Sequence, residues 1–272
     1  MTNPREQAIA YTILSAFSLF ALLPIVGIVF TALQDPNGVA TFGSFDGLHF
    51  GNFADAWSEG HFGTYLKSSV IVTVTVVVVA GFLSILAGYA FGMMRFRGSE
   101  VLFYVILLGL MIPTEAMIVP LYYDFRDLGL VDTYWALILP QIGTSIAFGT
   151  FWMRAFFRSV PRSLVEAARL DGSSSWSTLW RVVLPLGRPA VLTMVVLVFM
   201  WTWNEFLLAL VMVSEEDLRT APLGLAFFSG RNTTDFALLA AGSVIVATPV
   251  VILYVFLQRH FIRGMLSGAV KA

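Results

Sequence analysis

The chain has 272 residues, 58% hydrophobic and 12% charged, with a formal net charge of -1 and no cysteine, and its mean hydropathy is +0.82. These proportions exclude an ordinary water-soluble domain, leave no basic patch for nucleic acid, and rule out disulfides and thiolate metal sites. The three histidines, His49, His61 and His260, are too scattered for a metal cluster, so no metal site is expected.

In chain order, long uncharged stretches mark the elements. The first, residues 8–33, runs 26 residues without a charge. A signal core is roughly 7 to 15 residues, so this stretch reads as a retained helix and not a leader. The second, 68–94, contains VIVTVTVVVVA from Val70 to Ala80. That run is strand-like by propensity, but backbone amides find no water in hydrocarbon, so it is predicted to be helical. Ser84, Gly88 and Gly92 form a small-xxx-small stripe there, expected to let two helices approach closely. Spans 101–123 and 189–214 each carry one acid, Glu115 and Glu205; 133–153 and 236–258 carry none. At ~1.5 Å per residue all six can cross ~30 Å of hydrocarbon. The expected fold is all-α and transmembrane, a single six-helix membrane domain.

Arginine and lysine set the orientation. Arg5, Arg95, Arg97, Arg154, Arg158, Arg162, Arg169, Arg181, Arg188, Arg259, Arg263 and Lys271 fall on the side of the N-terminus, twelve of sixteen. The other four, Lys67, Arg126, Arg219 and Arg231, share the opposite side with eleven acids, among them Asp35, Asp46, Asp55, Glu59 and the run Glu215 to Asp217. Positive residues stay inside, which makes both termini cytoplasmic. Asn232-Thr233-Thr234, a glycosylation sequon by pattern, is read as a chance match.

That orientation leaves one sizeable cytoplasmic segment, 154–188. From Pro161 it reads PRSLVEAARLDGSSSWSTLWRVVLPLGRP. Leu164, Val165 and Ala168 share one helical face, and Arg162, Glu166 and Arg169 another, so a short amphipathic helix is predicted. Asp171-Gly172 is a turn signal, and the serines after it offer an N-cap to a second helix. In that helix Trp176, Leu179, Trp180, Val183 and Leu184 recur at helical spacing until Pro185. On pattern alone such helices could lie in the membrane interface. The order Glu-Ala-Ala, Asp-Gly, then Leu-Pro thirteen residues past that glycine resembles the EAA loop of ABC importer permeases. MIPTEAMIVPLY (Met111 to Tyr122), LGLVDTYWALILP (Leu128 to Pro140), WNEF (Trp203 to Phe206) and RGMLSGAVKA (Arg263 to Ala272) extend the resemblance. Together they point to the binding-protein-dependent, carbohydrate (maltose-type) branch, with Ser173 where alanine is commoner.

The resemblance implies a type I importer permease fold in the bacterial plasma membrane, crossing it several times. It also implies a short coupling helix that docks on an ATPase through Glu166, Ala167, Ala168, Arg169, Asp171 and Gly172. Small Ala167 and Ala168 permit close approach, Glu166 offers a charge, and Gly172 supplies a sharp exit that a side chain would obstruct. A tail contact through Arg263, Gly264 and Lys271 is implied as well. Implied partners are a second homologous permease, two ATPase subunits and an extracytoplasmic binding protein, all around a lipid-embedded core. The chain has no G-x-x-x-x-G-K-[ST] loop, nucleophile elbow or H-E-x-x-H, so it is not expected to be an enzyme or to hold a cofactor. ATP and Mg belong on the partner.

An acid inside a span marks a functional candidate. Glu115 and Glu205 are expected at similar depth, with Trp203 and Asn204 beside Glu205 offering surface for a sugar; helix–helix bonding or snorkelling is the alternative. Pro24, Pro113, Pro120, Pro140 and Pro249 are candidate kinks. A sugar or sugar-like solute is the expected cargo. A glycerol-phosphate-type ligand stays open, and an ion-coupled secondary transporter is the rival class, disfavoured by the absence of a convincing internal repeat.

Overall fold

The computed structural model describes residues 4–35, 47–228 and 235–269, with side chains as far as Gln258. Asp46, Arg231, the Asn232-Thr233-Thr234 sequon and Lys271 lie outside the described residues, as does the side chain of His260. The described chain is helical: α1 Pro4–Ala32, α2 Gly51–Glu59, α3 Phe62–Met93, α4 Ser99–Met111, α5 Thr114–Asp127, α6 Tyr134–Ser159 and α7 Arg162–Leu170. After these come α8 Ser175–Leu186, α9 Arg188–Trp203, α10 Leu207–Met212 and α11 Phe236–Ala269. Four of them, α1, α3, α6 and α11, are singly long and apolar enough to cross a membrane. The pairs α4/α5 and α8/α9 bring the number to six if each is one span, but they bend by 95° and 83°.

The α4/α5 bend has a local cause. Pro113 has no N–H to give and pushes Ile112 out of the helical region, to ψ 117. The third predicted span is thus two helices at a sharp angle. By contrast Pro24, Pro120, Pro140 and Pro249 lie within helices that continue through them. The fifth predicted span also breaks, at 204–206 between α9 and α10. The valine run 70–80 is helical within α3, as the medium requires.

The chain divides into two compact units, Met1–Gly63 with Leu223–Pro249 and Thr64–Pro222 with Val250–Ala272. In the first, Asn52 is buried and its amide donates to the carbonyls of Ala32 (2.9 Å) and Gln34 (2.7 Å), closing the end of α1. Phe62 stacks on Phe228 at 6.2 Å, and a Cβ on Gly242 would come within 3.0 Å of the Phe62 ring.

The second unit is organised by the crossing of α3 and α6. A Cβ on Gly88 would meet the Met153 Cβ at 2.5 Å, one on Gly92 the Phe157 Cβ at 2.8 Å, and one on Gly149 would overlap Ser84. The small-residue stripe is therefore the seam where the two backbones meet. α9 lies on α6 through Trp152, whose indole N–H donates to the Ala190 carbonyl at 2.9 Å. At the opposite end, Asp132 takes the left-handed conformation (φ 57) and its carboxylate accepts the backbone N–H groups of Ser214 and Glu215. Its own N–H donates to the Met212 carbonyl at 3.0 Å, tying the start of α6 to the end of α10.

Candidate functional site

Two features of the second unit carry the sequence candidates. The first is α7 and its exit. Val165 and Ala168 face inward, while Glu166, Ala167, Arg169 and Asp171 are exposed. Leu164, expected on the inner face, is 40% exposed. The helix closes with paired backbone bonds, Gly172 N–H to the Arg169 carbonyl (3.0 Å) and Ser173 N–H to that of Ala168 (2.9 Å). This Schellman arrangement needs a left-handed residue, and Gly172 supplies it at φ +79. No atom lies within 4 Å of where a Cβ would stand on Gly172. Within this chain the demand for glycine comes from the left-handed backbone, since no neighbouring side chain crowds the position.

Ser174 then caps α8, its hydroxyl accepting the Ser177 N–H at 3.2 Å. Residues Thr178–Val183 form a π turn, in which the Leu184 N–H reaches back to the Leu179 carbonyl. Along the predicted stripe Trp180 and Leu184 are half-buried, Trp180 stacking on Phe82. Leu179 and Val183 are buried, whereas Trp176 is exposed. α8 meets α9 at Gly187, where a Cβ would collide with the ring of Phe156.

The second feature is a cavity of about 280 Å³ lined from α4, the bend, α6, α9 and the break after it. Its polar wall consists of Gln141, Thr144 and Ser145 on α6 with Thr114, Thr202 and Glu205. Its aromatic wall is Phe148 and Trp201, edge to face with centroids 4.7 Å apart. Behind it, Gln141, Thr202 and Glu205 also wall a smaller space into which Ser69, Thr73 and Thr220 bring hydroxyls.

The four residues expected to meet solute separate. Glu205 lines the cavity and also caps α10, its Oε1 accepting the Leu208 N–H at 2.8 Å. Trp203 is 2% exposed and stacks on Phe199 at 5.5 Å, in the core rather than the cavity wall. Asn204 is exposed and folds its amide onto the Met200 carbonyl at 2.7 Å, closing α9. WNEF is a helix break with an aromatic anchor and a polar cap on each side. Glu115 stands exposed in the first turn of α5, where a carboxylate complements the helix dipole, and it does not line the cavity. Arg263 and Gly264 fall within the helical stretch of α11. Among the described residues no group of three or more histidines and acids converges as a metal site.

Residues 81–267 match the family described as binding-protein-dependent transport system inner membrane component. The chain belongs to that family. It is 40% identical over 223 residues to the probable ABC transporter permease protein YurM of Bacillus subtilis, covering 82% of this chain and 74% of that one. To the arabinooligosaccharides transport system permease protein AraQ of Halalkalibacterium halodurans it is 34% identical, over 96% and 95% of the two chains. Its fold is similar, with a TM-score of 0.81 and 24% identity over 96% and 99% of the chains, to one in the crystal structure of a bacterial ABC transporter that imports the acidic polysaccharide alginate. The protein is thus an inner-membrane permease component, a transport subunit and not an enzyme, with the fold of an importer permease.

Within this permease, both α7 and the cavity-lining segments fall inside the matched region. Sequence reasoning passed over the cavity's main wall, although a signal was present. Gln141, Thr144, Ser145 and Phe148 recur at i, i+3, i+4 and i+7, a polar and aromatic stripe on an otherwise apolar permease helix. It also passed over Leu170, 89% exposed at the end of the permease's α7.

Proposed function

We propose that this permease subunit passes a sugar or sugar-like solute inward by alternating access, with a second homologous permease, two ATPase subunits that bind ATP and Mg, and an extracytoplasmic binding protein. The carrying observation is mechanical. α7 and α8 hang between α6, which ends at Ser159, and α9, which begins at Arg188, and the far parts of α6 and α9 wall the cavity. A partner that grips the exposed face of α7, at Glu166, Ala167, Arg169, Leu170 and Asp171, moves two cavity walls through rigid helices. Ala168 seats that face and Gly172 sets its exit, so both serve docking from behind. This reading takes both termini as cytoplasmic, the α4/α5 pair as the third of six spans, and α9 with α10 as the fifth. A tail contact with the ATPase pair through Arg263, Gly264 and Lys271 belongs to the same proposal.

The cavity's chemistry favours a neutral sugar over a glycerol phosphate. Its lining offers amide, hydroxyl and carboxylate groups with two aromatic rings, and it includes one acid but neither arginine nor lysine. The names of relatives such as the arabinooligosaccharide permease support the same class. The decisive experiment is uptake of labelled oligosaccharides by the full transporter in proteoliposomes. Uptake is expected to stop when internal ATP is removed while ion gradients are held. Continued uptake would sink the reading in favour of an ion-coupled carrier.

A further inference from the structure

Apart from the docking helix and the solute cavity, the second unit has a cleft of about 560 Å³ where α3 ends, α4 begins, and α6 passes into α7. Arg95, Arg158 and Arg162 line it, with one acid, Glu100. Arg158 and Glu100 approach only to 4.0 Å, with side chains 53% and 74% exposed. A pair that open leaves the guanidinium's hydrogen-bonding capacity largely unspent. Arg154, one turn before Arg158, is committed elsewhere: it lies 3.7 Å over the Phe103 ring and its Nε donates to the Phe91 carbonyl. The cleft thus holds three cations against one anion, and its floor includes Phe91 and Phe96.

Its depth identifies the ligand. α3 and α6 are membrane-crossing by length and hydropathy, and both end here. Gly98, at φ +81, makes the tight reversal that starts α4 beside Arg95. From the next turn Val101, Tyr104, Val105 and Leu108 recur at helical spacing, all exposed and apolar or aromatic. A cationic cleft at the edge of the hydrocarbon, beside an apolar lane running inward, matches an anionic headgroup followed by its acyl chain. Guanidinium forks bind phosphate bidentately, which an acidic protein surface does not require. We propose that this cleft binds the phosphate headgroup of an anionic phospholipid.

The test uses the complete transporter reconstituted in mixed phosphatidylglycerol and phosphatidylcholine, then released for native mass spectrometry to count retained lipids. Preferential retention of phosphatidylglycerol is expected. It should fall about fivefold in Arg95→Gln and about twenty-five-fold in R95Q/R158Q. R95K/R158K, which keeps the charges, should retain more than the glutamine pair. Equal retention by wild type and R95Q/R158Q overturns the proposal. So does displacement of the lipid by excess inorganic phosphate, which would make a soluble anion the ligand. Loss of ATPase copurification with lipid retention unchanged assigns the cleft to protein docking and overturns it as well. Arg95 is exposed, so its single change keeps the comparison available if the double variant fails to assemble.

Discussion

α7 with its exit turn and the polar cavity belong to one compact unit, but they are specified in different ways. Residues 162–172 are contiguous, and their conformation is set by their own backbone bonds and by one left-handed glycine. The cavity is gathered from residues between Gly109 and Leu208, and no single segment defines it. The first owes its shape to local chemistry and, under the proposed function, its purpose to a partner. The second owes its shape to the packing of α4, α6 and α9 and its chemistry to the side chains those helices turn toward one another. The two should therefore fail differently: changes to α7 should uncouple the transporter without altering solute preference, and changes to the cavity should do the reverse.

Gly172→Val should have the largest effect. A β-branched residue at φ +79 costs about 1–2 kcal/mol locally and dismantles the paired closing bonds. Uptake is expected to fall at least about a hundredfold, because docking needs the exit direction as well as the helix. Gly172→Asn should recover much of it, since asparagine tolerates the left-handed region and nothing crowds the position. If valine and asparagine behave alike in uptake assays, backbone strain is not what glycine provides. Leu170→Ser comes next. An apolar side chain this exposed fits a hot spot buried on docking, so ATPase retention should weaken about tenfold or more while the isolated permease melts as before. Unchanged copurification would remove Leu170 from the interface.

Trp201→Ala probes the other side of the comparison. Loss of one aromatic wall, and of its edge-to-face partner Phe148, should raise the half-saturating solute concentration about tenfold with ATPase copurification intact. A change in ATPase retention without a change in saturation would break the division between the two regions.

The same division governs what the sequence reveals. Glu-Ala-Ala and Asp-Gly lie in one contiguous segment, so α7 and the closing turn at Gly172 are legible in the sequence. The stripe Ser84, Gly88, Gly92 was likewise readable as a packing face, although its partners Gly149 and Met153, far along the chain, were not. Glu115 and Glu205 look equivalent as lone acids in apolar runs. They differ because Pro113 and the WNEF segment break their helices, turning one acid into a first-turn residue and the other into a cap. Length and hydropathy report that a stretch can cross a bilayer, not that it does so as one straight helix. The cavity wall on α6 was overlooked for the opposite reason: its uncharged side chains hardly disturb the hydropathy of the span.

Glu205 is where the two modes of specification meet, and its replacement gives the smallest and most discriminating effect. Its Oε1 holds the Leu208 N–H, a local duty that glutamine's amide oxygen can also perform. If capping is its main work, Glu205→Gln should transport close to wild type, whereas Glu205→Ala should lose about 1 kcal/mol of local stability, read as a lower melting temperature. If instead the carboxylate carries a coupling ion, glutamine should be as damaging as alanine and uptake should lose its dependence on the ion gradient. The first pattern keeps Glu205 out of energy coupling and supports the proposed ATPase drive through α7, because a capping oxygen needs no charge.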